Sequence, residues 1–307
     1  MKINHILFPV DFSDHSRALN PEVERLAKHF GAKVTLLHVF EVPAAWYGSA
    51  EAPLFNAECF KQLQDDVRQR LLNYQIDVPA DRVERIIAEG AAAGHINNWA
   101  AEHNVDLIVM GTHGYGTFQR LLLGSVAMKV LHEVSCPVWT VSPTAGKTRD
   151  AISNVVCALE LGDETVPLLR FTKQVAAEFG AAVRIVHSVP QTEARPYTYF
   201  DVDLHRDLMK MAREEIAKLQ QEAGTNFPTS ITEGAIGKDI ANVTFDQHAD
   251  LLIVGRGKAQ ATFGGLRTHA YDIIRQAPCP VLSYSMDWEK RSDSFLKEEK
   301  VGEPATA

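Results

Sequence analysis

The sequence predicts two tandem open-sheet α/β domains, each a five-stranded, mostly parallel sheet with helices on both faces. Three observations predict it. The chain reads twice in the same order; apolar β-branched runs alternate with helical periodicity five times in each copy; and the runs are near-continuous in apolar side chains, as strands buried on both faces are.

The internal repeat is the strongest of the three. "INHILFPVDF" (3–12) aligns with "ISNVVCALEL" (152–161), and "FGAKVTLLHVFEVP" (30–43) with "FGAAVRIVHSVP" (179–190). "IIAEGAAAGHINNWAAEHNVDLIVMG" (86–111) aligns with "SITEGAIGKDIANVTFDQHADLLIVG" (230–255), and "SCPVWTVS" (135–142) with "PCPVLSYS" (278–285). Order is kept while the offset falls from 149 (His38 to His187) to 144 (Asp106 to Asp250) and 143 (Cys136 to Cys279), as small loop deletions in a duplicated domain would produce. The expected divisions are 1–144, 150–286 and a polar tail, 287–307. The joint falls in "PTAGKTRDA", which carries Pro143 and Gly146.

The elements of the first copy follow in order. "HILFPV" is the first strand. "PEVERLAKHFG" is a helix, because Val23, Leu26, Ala27 and Phe30 share a face and Gly31 supplies a left-handed C-cap. Asn20-Pro21 suits an N-cap and first turn, although Pro21 would also kink a helix that began near Ser13. "KVTLLHV", "RVERIIA", "DLIVMG" and "PVWTVS" supply the remaining strands. "PAAWYGSAEAPLF" and "PQTEARPYTYFDVDL" are insert-like and aromatic, and read either as covers for a cleft or as packed loops.

Composition narrows the function. The 307 residues are 46% hydrophobic and 23% charged, with a formal net charge of −8, so neither nucleic acid nor an anionic membrane is the expected partner. No segment approaches the roughly 18 uninterrupted apolar residues of a spanning helix, and the N-terminus lacks the pattern of a secretory signal; a cytoplasmic protein is expected. Cys59, Cys136, Cys157 and Cys279 are scattered without metal-ligand spacing, so they read as buried small apolar residues and no metal site is expected.

In an open parallel sheet, ligands sit at the carboxyl ends of the strands where strand order reverses. "GTHGYGTFQRLLLGS" (111–125) lies there, after "DLIVM" and before the helical "VAMKVLHEV". "TAGKT" (144–148) carries the GKT of a phosphate-binding P-loop, but Val141 stands where that motif needs its first glycine and the segment lies in the joint between copies. No GxGxxG follows the first strand.

A strand, then GxxGxxxxxxxxxGS, then a helix, with "FPVDFS" on the first strand and "HV" ending the second, resembles the universal stress protein family, here in tandem. The resemblance covers nearly all of 1–143 and, more weakly, 151–286. It implies an adenine nucleotide alpha hydrolase-like fold and ATP as ligand, with Mg2+ admitted beside it. Asp11 would accept hydrogen bonds from the ribose hydroxyls; its plainer reading is a capping carboxylate in "DFSD". Pro9 and Val39 would line the adenine pocket, Val39 with its backbone groups, or serve as ordinary core. Met110 and Gly111 would pass beneath ribose and phosphates. Gly111 and Gly114 would let the backbone approach phosphate oxygens and adopt dihedrals closed to other residues. Gly124, Ser125 and Val126 would open the last helix toward the phosphates, or form a bland N-cap. His113 and Arg120 can meet the terminal phosphate or remain solvated loop residues.

The second copy departs from this pattern. Glu160, Ala158 and Ser188 replace Asp11, Pro9 and Val39; Gly255 is kept, but Lys258 stands where Gly114 does, and Arg267-Thr268 where Gly124-Ser125 do. This half is not expected to bind ATP in the family's manner. It would keep the fold for pairing through the last strands, making an intrachain pseudo-dimer; a homodimer of the whole chain is left open. The sequence offers no clear catalytic base. The leading expectation is an ATP-responsive stress or signalling switch, with a nucleotide-free scaffold or small-ligand carrier, and a slow ATPase, as alternatives.

Overall fold

The computed structural model describes residues 1–41, 57–112, 123–142, 145, 151–190, 199–257 and 268–288. Contacts divide the chain into two compact units, Lys2–Val134, and Ser135–Ala307 together with Met1.

The unit Lys2–Val134 contains β1 (His5–Pro9), α1 (Asp14–Arg17), α2 (Asn20–Phe30), β2 (Lys33–Phe40), α3 (Ala57–Leu72), β3 (Val83–Glu89), α4 (Ala92–Glu102), β4 (Leu107–Gly111) and α5 (Ser125–Glu133). Its strands run parallel in the order β3-β2-β1-β4. Ile6, Leu7 and Phe8 are consecutive and fully buried. Successive side chains on a strand point to opposite faces, so this burial requires cover on both. Edge strand β3 instead mixes half-buried residues with exposed Glu84, Ile87 and Glu89, and the two charges disfavour edge-to-edge pairing.

In α2 the expected face is present: Val23, Leu26 and Ala27 are buried and Phe30 is half-buried. Gly31 ends the helix at φ 63°, ψ 25°, the left-handed conformation that costs a side-chain-bearing residue about 1 kcal/mol or more. The start differs from expectation. Leu19, not Asn20, is the N-cap, and no side chain caps this helix. A separate short helix, α1, precedes it, capped by the Ser13 hydroxyl accepting from Ser16 N–H at 3.1 Å. Asn20 is engaged elsewhere: its Oδ1 accepts from the Tyr74 hydroxyl at 2.7 Å and its Nδ2 donates to the Gln75 carbonyl at 2.9 Å. A long-range pair outcompetes the local cap.

The unit Ser135–Ala307 contains β5 (Val138–Val141), β6 (Asn154–Ala158), α6 (Thr165–Phe179), β7 (Ala182–Pro190), α7 (Tyr199–Ala223), β8 (Thr229–Gly234), α8 (Ile236–Asp246), β9 (Leu251–Gly255), α9 (Thr268–Gln276) and β10 (Val281–Tyr284). The order is β5-β10-β9-β6-β7-β8, parallel except that β5 and β10 run antiparallel. Thus β5, the last strand of the first sequence copy, pairs with β10, the last strand of the second. Trp139, Thr140, Leu282 and Ser283 are buried there, and Thr140 Oγ1 and Ser283 Oγ donate to the carbonyls of Val281 and Val138 at 3.3 Å. Residues 199–204 of the second insert-like segment open α7; 191–198, and 43–55 of the first, lie outside the described residues, as do 289–307 of the tail.

The two copies repeat one another bond by bond. Asp106 Oδ2 accepts the N–H groups of Asn4 and His5 at 2.7 and 3.0 Å, and Asp250 Oδ2 accepts those of Ser153 and Asn154, both at 2.9 Å. Gly180 repeats Gly31, at φ 66°, ψ 29°. His38 Nδ1 lies 2.7 Å from the Val10 carbonyl, and His187 Nδ1 2.9 Å from that of Leu159. Cys136, Cys157 and Cys279 are buried. Burial pushes the thiols of Cys157 and Cys279 up to about 12, so they stay protonated and unreactive near neutral pH.

Candidate functional site

Within the first unit, strand order reverses between β1 and β4: β2 and β3 extend to one side of β1, and β4 lies on the other. That is where an open α/β sheet leaves a crevice at its carboxyl ends. Pro9 pairs with Leu37, and Leu7 with Ile108; extending the second register by two residues sets Pro9 level with Met110. Pro9, Val39 and Gly111 are half-buried and Met110 is buried. The Leu37 carbonyl accepts from Val10 N–H at 2.9 Å, and backbone groups two residues further along a strand point the same way. The N–H and carbonyl of Val39 therefore face the β1 side beyond Pro9, where that strand has ended.

Asp11 follows at once. Its Oδ1 accepts from both the N–H and the hydroxyl of Ser13, at 3.0 and 2.6 Å. It supports the turn whose Ser13 caps α1, so the structural role suggested by "DFSD" is present, two positions before the cap itself. The half-buried carboxylate retains Oδ2 as an acceptor on the same side chain.

Phe12 holds this turn in place from a backbone conformation rarely adopted by a bulky residue, φ 62°. Its buried ring stacks on His38, centroids 4.3 Å apart at 29°. Burial lowers the pKa of His38, against the Val10 carbonyl and the Asp11 charge, which raise it. The ring is therefore neutral at pH 7, and because a carbonyl only accepts, its proton sits on Nδ1 and is donated to Val10. A histidine, a strained phenylalanine and an aspartate form one packed corner. Nothing local in the sequence signals the conformation of Phe12.

Across the crevice, β4 ends at Gly111 and α5 begins at Ser125. Gly124 N–H donates to the carbonyl of Thr112 at 2.8 Å, and Thr112 is fully buried. The two ends of the glycine-rich stretch are thereby clipped together. Gly111 is extended as part of β4, and Gly124 has φ −59°, ψ 143°, a conformation open to any residue. These two glycines are thus not required by the backbone path. No side chain caps α5, so its first-turn N–H groups, with Ser125 exposed and Val126 half-buried, are turned to whatever lies before the helix. Gly114, His113 and Arg120 lie outside the described residues.

The corresponding place in the second copy carries different side chains. A Cβ on Gly255 would lie 3.4 Å from Leu168 Cδ2 and 3.7 Å from Glu164 Oε2. Arg256 follows, its Nη2 donating to the Cys136 carbonyl at 2.7 Å and its N–H to the Tyr284 carbonyl at 2.8 Å. Burial lowers its pKa to about 10, so it stays cationic at neutral pH. Glu160 is exposed, and Ser188 is buried with its hydroxyl 3.5 Å from Asp239. Helix α9 begins at Thr268, the counterpart of Ser125; Lys258 and Arg267 lie outside the described residues.

No group of three or more His, Cys, Asp or Glu able to hold a metal ion occurs among the described residues. No helix among them is long and apolar enough to cross a membrane.

The model of the universal stress protein family matches residues 2–142 and again 151–284. Universal stress protein A homolog 1 of Coxiella burnetii is 31% identical over 144 residues, covering 46% of this chain and 97% of that protein. Universal stress protein YxiE of Bacillus subtilis is 30% identical over 142 residues, 44% of this chain and 96% of that protein. Each relative thus has the length of a single copy. A solved universal stress protein from Archaeoglobus fulgidus spans the tandem, covering 92% of this chain and 97% of its own with a TM-score of 0.59; at 21% identity it speaks to the fold alone.

Proposed function

The chain belongs to the universal stress protein family, and on that premise we propose that its first copy, residues 1–144, binds ATP as the input of a stress or signalling switch. The observation that carries the reading is the Gly124–Thr112 clip. It sets an uncapped helix start beside the β1/β4 switch point, and Asp11 and the backbone of Val39 lie along the same crevice.

The donor set fits an adenine nucleotide. Val39 offers one N–H and one carbonyl to a base edge, with Pro9 as an apolar wall. Asp11, acceptor-only and held through Oδ1 by Ser13, directs Oδ2 to a ribose diol. Met110 and Gly111 floor the crevice. The N–H groups of Ser125 and Val126, the Ser125 hydroxyl and the helix dipole favour phosphate charge. Gly124 contributes clearance, since its own N–H is spent on Thr112. Gly114 would add to the cradle. Mg2+ would accompany the phosphates and draw its ligands mainly from them and from water.

No described group is placed as a base for water, so turnover, if measured, is slow and the protein is a switch before it is an enzyme. The second copy, 150–286, serves as partner: the β5–β10 pairing supports a pseudo-dimer within one chain, and Lys258 and Arg267, where the first copy has Gly114 and Gly124, argue against a second nucleotide. Mass spectrometry of the small molecules released from purified, heat-denatured protein tests the ligand's identity. An adenine nucleotide in roughly stoichiometric yield supports the reading; protein that carries none and shows no thermal shift with added ATP favours the scaffold or carrier alternative.

A further inference from the structure

A second polar cleft, of about 500 Å³, opens in the first unit. It is lined by Arg17 of α1, Asn20 of α2, Asp66, Gln69 and Arg70 of α3, and Asn73, Tyr74 and Gln75 of the segment after it. Its volume falls within the range of small-molecule sites.

Both arginines are held against Phe12. Arg17 Nε donates to the Phe12 carbonyl at 3.5 Å, and the Arg70 guanidinium lies 4.8 Å from the centroid of the Phe12 ring. Among the described residues neither makes a salt bridge, whereas Arg25 and Arg275 pair with Glu22 and Asp272 on their own helices. Two guanidiniums lining one cleft and engaged in no salt bridge among the described residues are suited to an anion, with Asp66 the one carboxylate on the wall. Buried Tyr74 and half-buried Asn20, locked to each other at 2.7 Å and to the Gln75 carbonyl at 2.9 Å, give the cleft a fixed floor. Asp66 and the amides of Gln69 and Asn73 add acceptors and donors on the α3 side, which suits hydroxyl groups better than a bare ion.

We propose that this cleft binds a small hydroxylated anion of the sugar-phosphate class, the Arg17 and Arg70 guanidiniums taking the phosphate and Asp66, Gln69 and Asn73 taking the hydroxyls. The lining residues differ from those of the crevice at β1 and β4, and Phe12, the residue after Asp11, touches both arginines. The site does not depend on the nucleotide assignment.

Calorimetric titration of the full chain with glucose 6-phosphate and with inorganic phosphate tests it, in the wild type, in Gly124→Arg and in Arg17→Gln/Arg70→Gln. The expected result is saturable binding that survives Gly124→Arg and weakens about tenfold or more in the double variant, with glucose 6-phosphate the tighter probe and Asp66→Ala narrowing that preference. Because both arginines are exposed, the double variant should keep the wild-type circular dichroism spectrum; should it not, each single variant is titrated with the same expectation. No saturable binding to the wild type, binding unchanged by the arginine substitutions, or binding lost in Gly124→Arg would overturn the proposal.

Discussion

The N–H of Gly124 reaches the carbonyl of Thr112 at 2.8 Å and so joins the end of β4 to the start of α5. The clip needs a backbone N–H and an ordinary conformation; it does not need glycine. A residue with a side chain would make the same bond and put that side chain where an anion is proposed to sit. The turn therefore does not explain the absence of a side chain at position 124, and the proposed anion does.

Asp11 has two duties in this account, a turn held through Oδ1 and a ribose held through Oδ2. Asp11→Ala should weaken ATP binding about ten- to a hundredfold, the loss of a charge-assisted hydrogen bond or two. Ser13→Ala, which removes only the 2.6 Å support, should cost less. Fluorescence or calorimetric titration of both variants separates the duties, and equal losses would assign Asp11 to the turn alone.

The second copy should not take up nucleotide. Equilibrium dialysis at saturating ATP is expected to give one ATP per chain, because Lys258 and Arg267 stand where the first copy has Gly114 and Gly124. A ratio of two would contradict this.

His5 makes stability depend on pH. Its Nε2 lies 2.8 Å from Thr35 Oγ1 and its Nδ1 3.1 Å from the His103 carbonyl, and burial, with the charge of Lys33, lowers its pKa from 6.5 to about 4. The unfolded chain then binds more protons between these values, so the contribution of neutral His5 is complete above about pH 6.5 and is lost as pH falls toward 4. The shift corresponds to at most about 3 kcal/mol. His5→Asn, the residue at the matching position of the second copy, should flatten the fall in melting temperature across this window relative to the wild type. Parallel profiles would contradict the assignment.

Asn20 is a tertiary tie and not a helix cap. Asn20→Ala should destabilise the protein by about 1–3 kcal/mol by leaving the Tyr74 hydroxyl without Oδ1, while Asn20→Asp, which keeps that acceptor, should recover part of the loss in denaturant unfolding. Because aspartate also caps helices well, Tyr74→Phe separates the roles: a tertiary tie predicts a measurable loss there too, and a cap role none.

Much of this was legible in the sequence because its causes are local or repeated. The five apolar runs of each copy became strands, and Gly31 and Gly180 became left-handed caps, since short-range periodicity and backbone freedom decide them. Asn20 was misread as a cap because its real partners, Tyr74 and Gln75, are more than fifty residues away. The motif "DFS" marked Asp11, but neither the positive φ of Phe12 nor its stack on His38 has a local signature, since both are imposed by packing. The cleft at Arg17 and Arg70 was invisible for the same reason: two arginines far apart in sequence converge only once α1 and α3 flank Phe12.

The central claim is that the glycine at position 124 keeps a phosphate-sized space open in the first copy. Arginine stands at the matching position of the second copy, and φ −59°, ψ 143° admits it, so Gly124→Arg should keep the melting temperature within a few degrees of the wild type. The direct measurement is calorimetric titration of wild-type and Gly124→Arg protein with ATP. The account predicts saturable binding of one ATP to the wild type and none to the folded variant; unchanged affinity in the variant would contradict it.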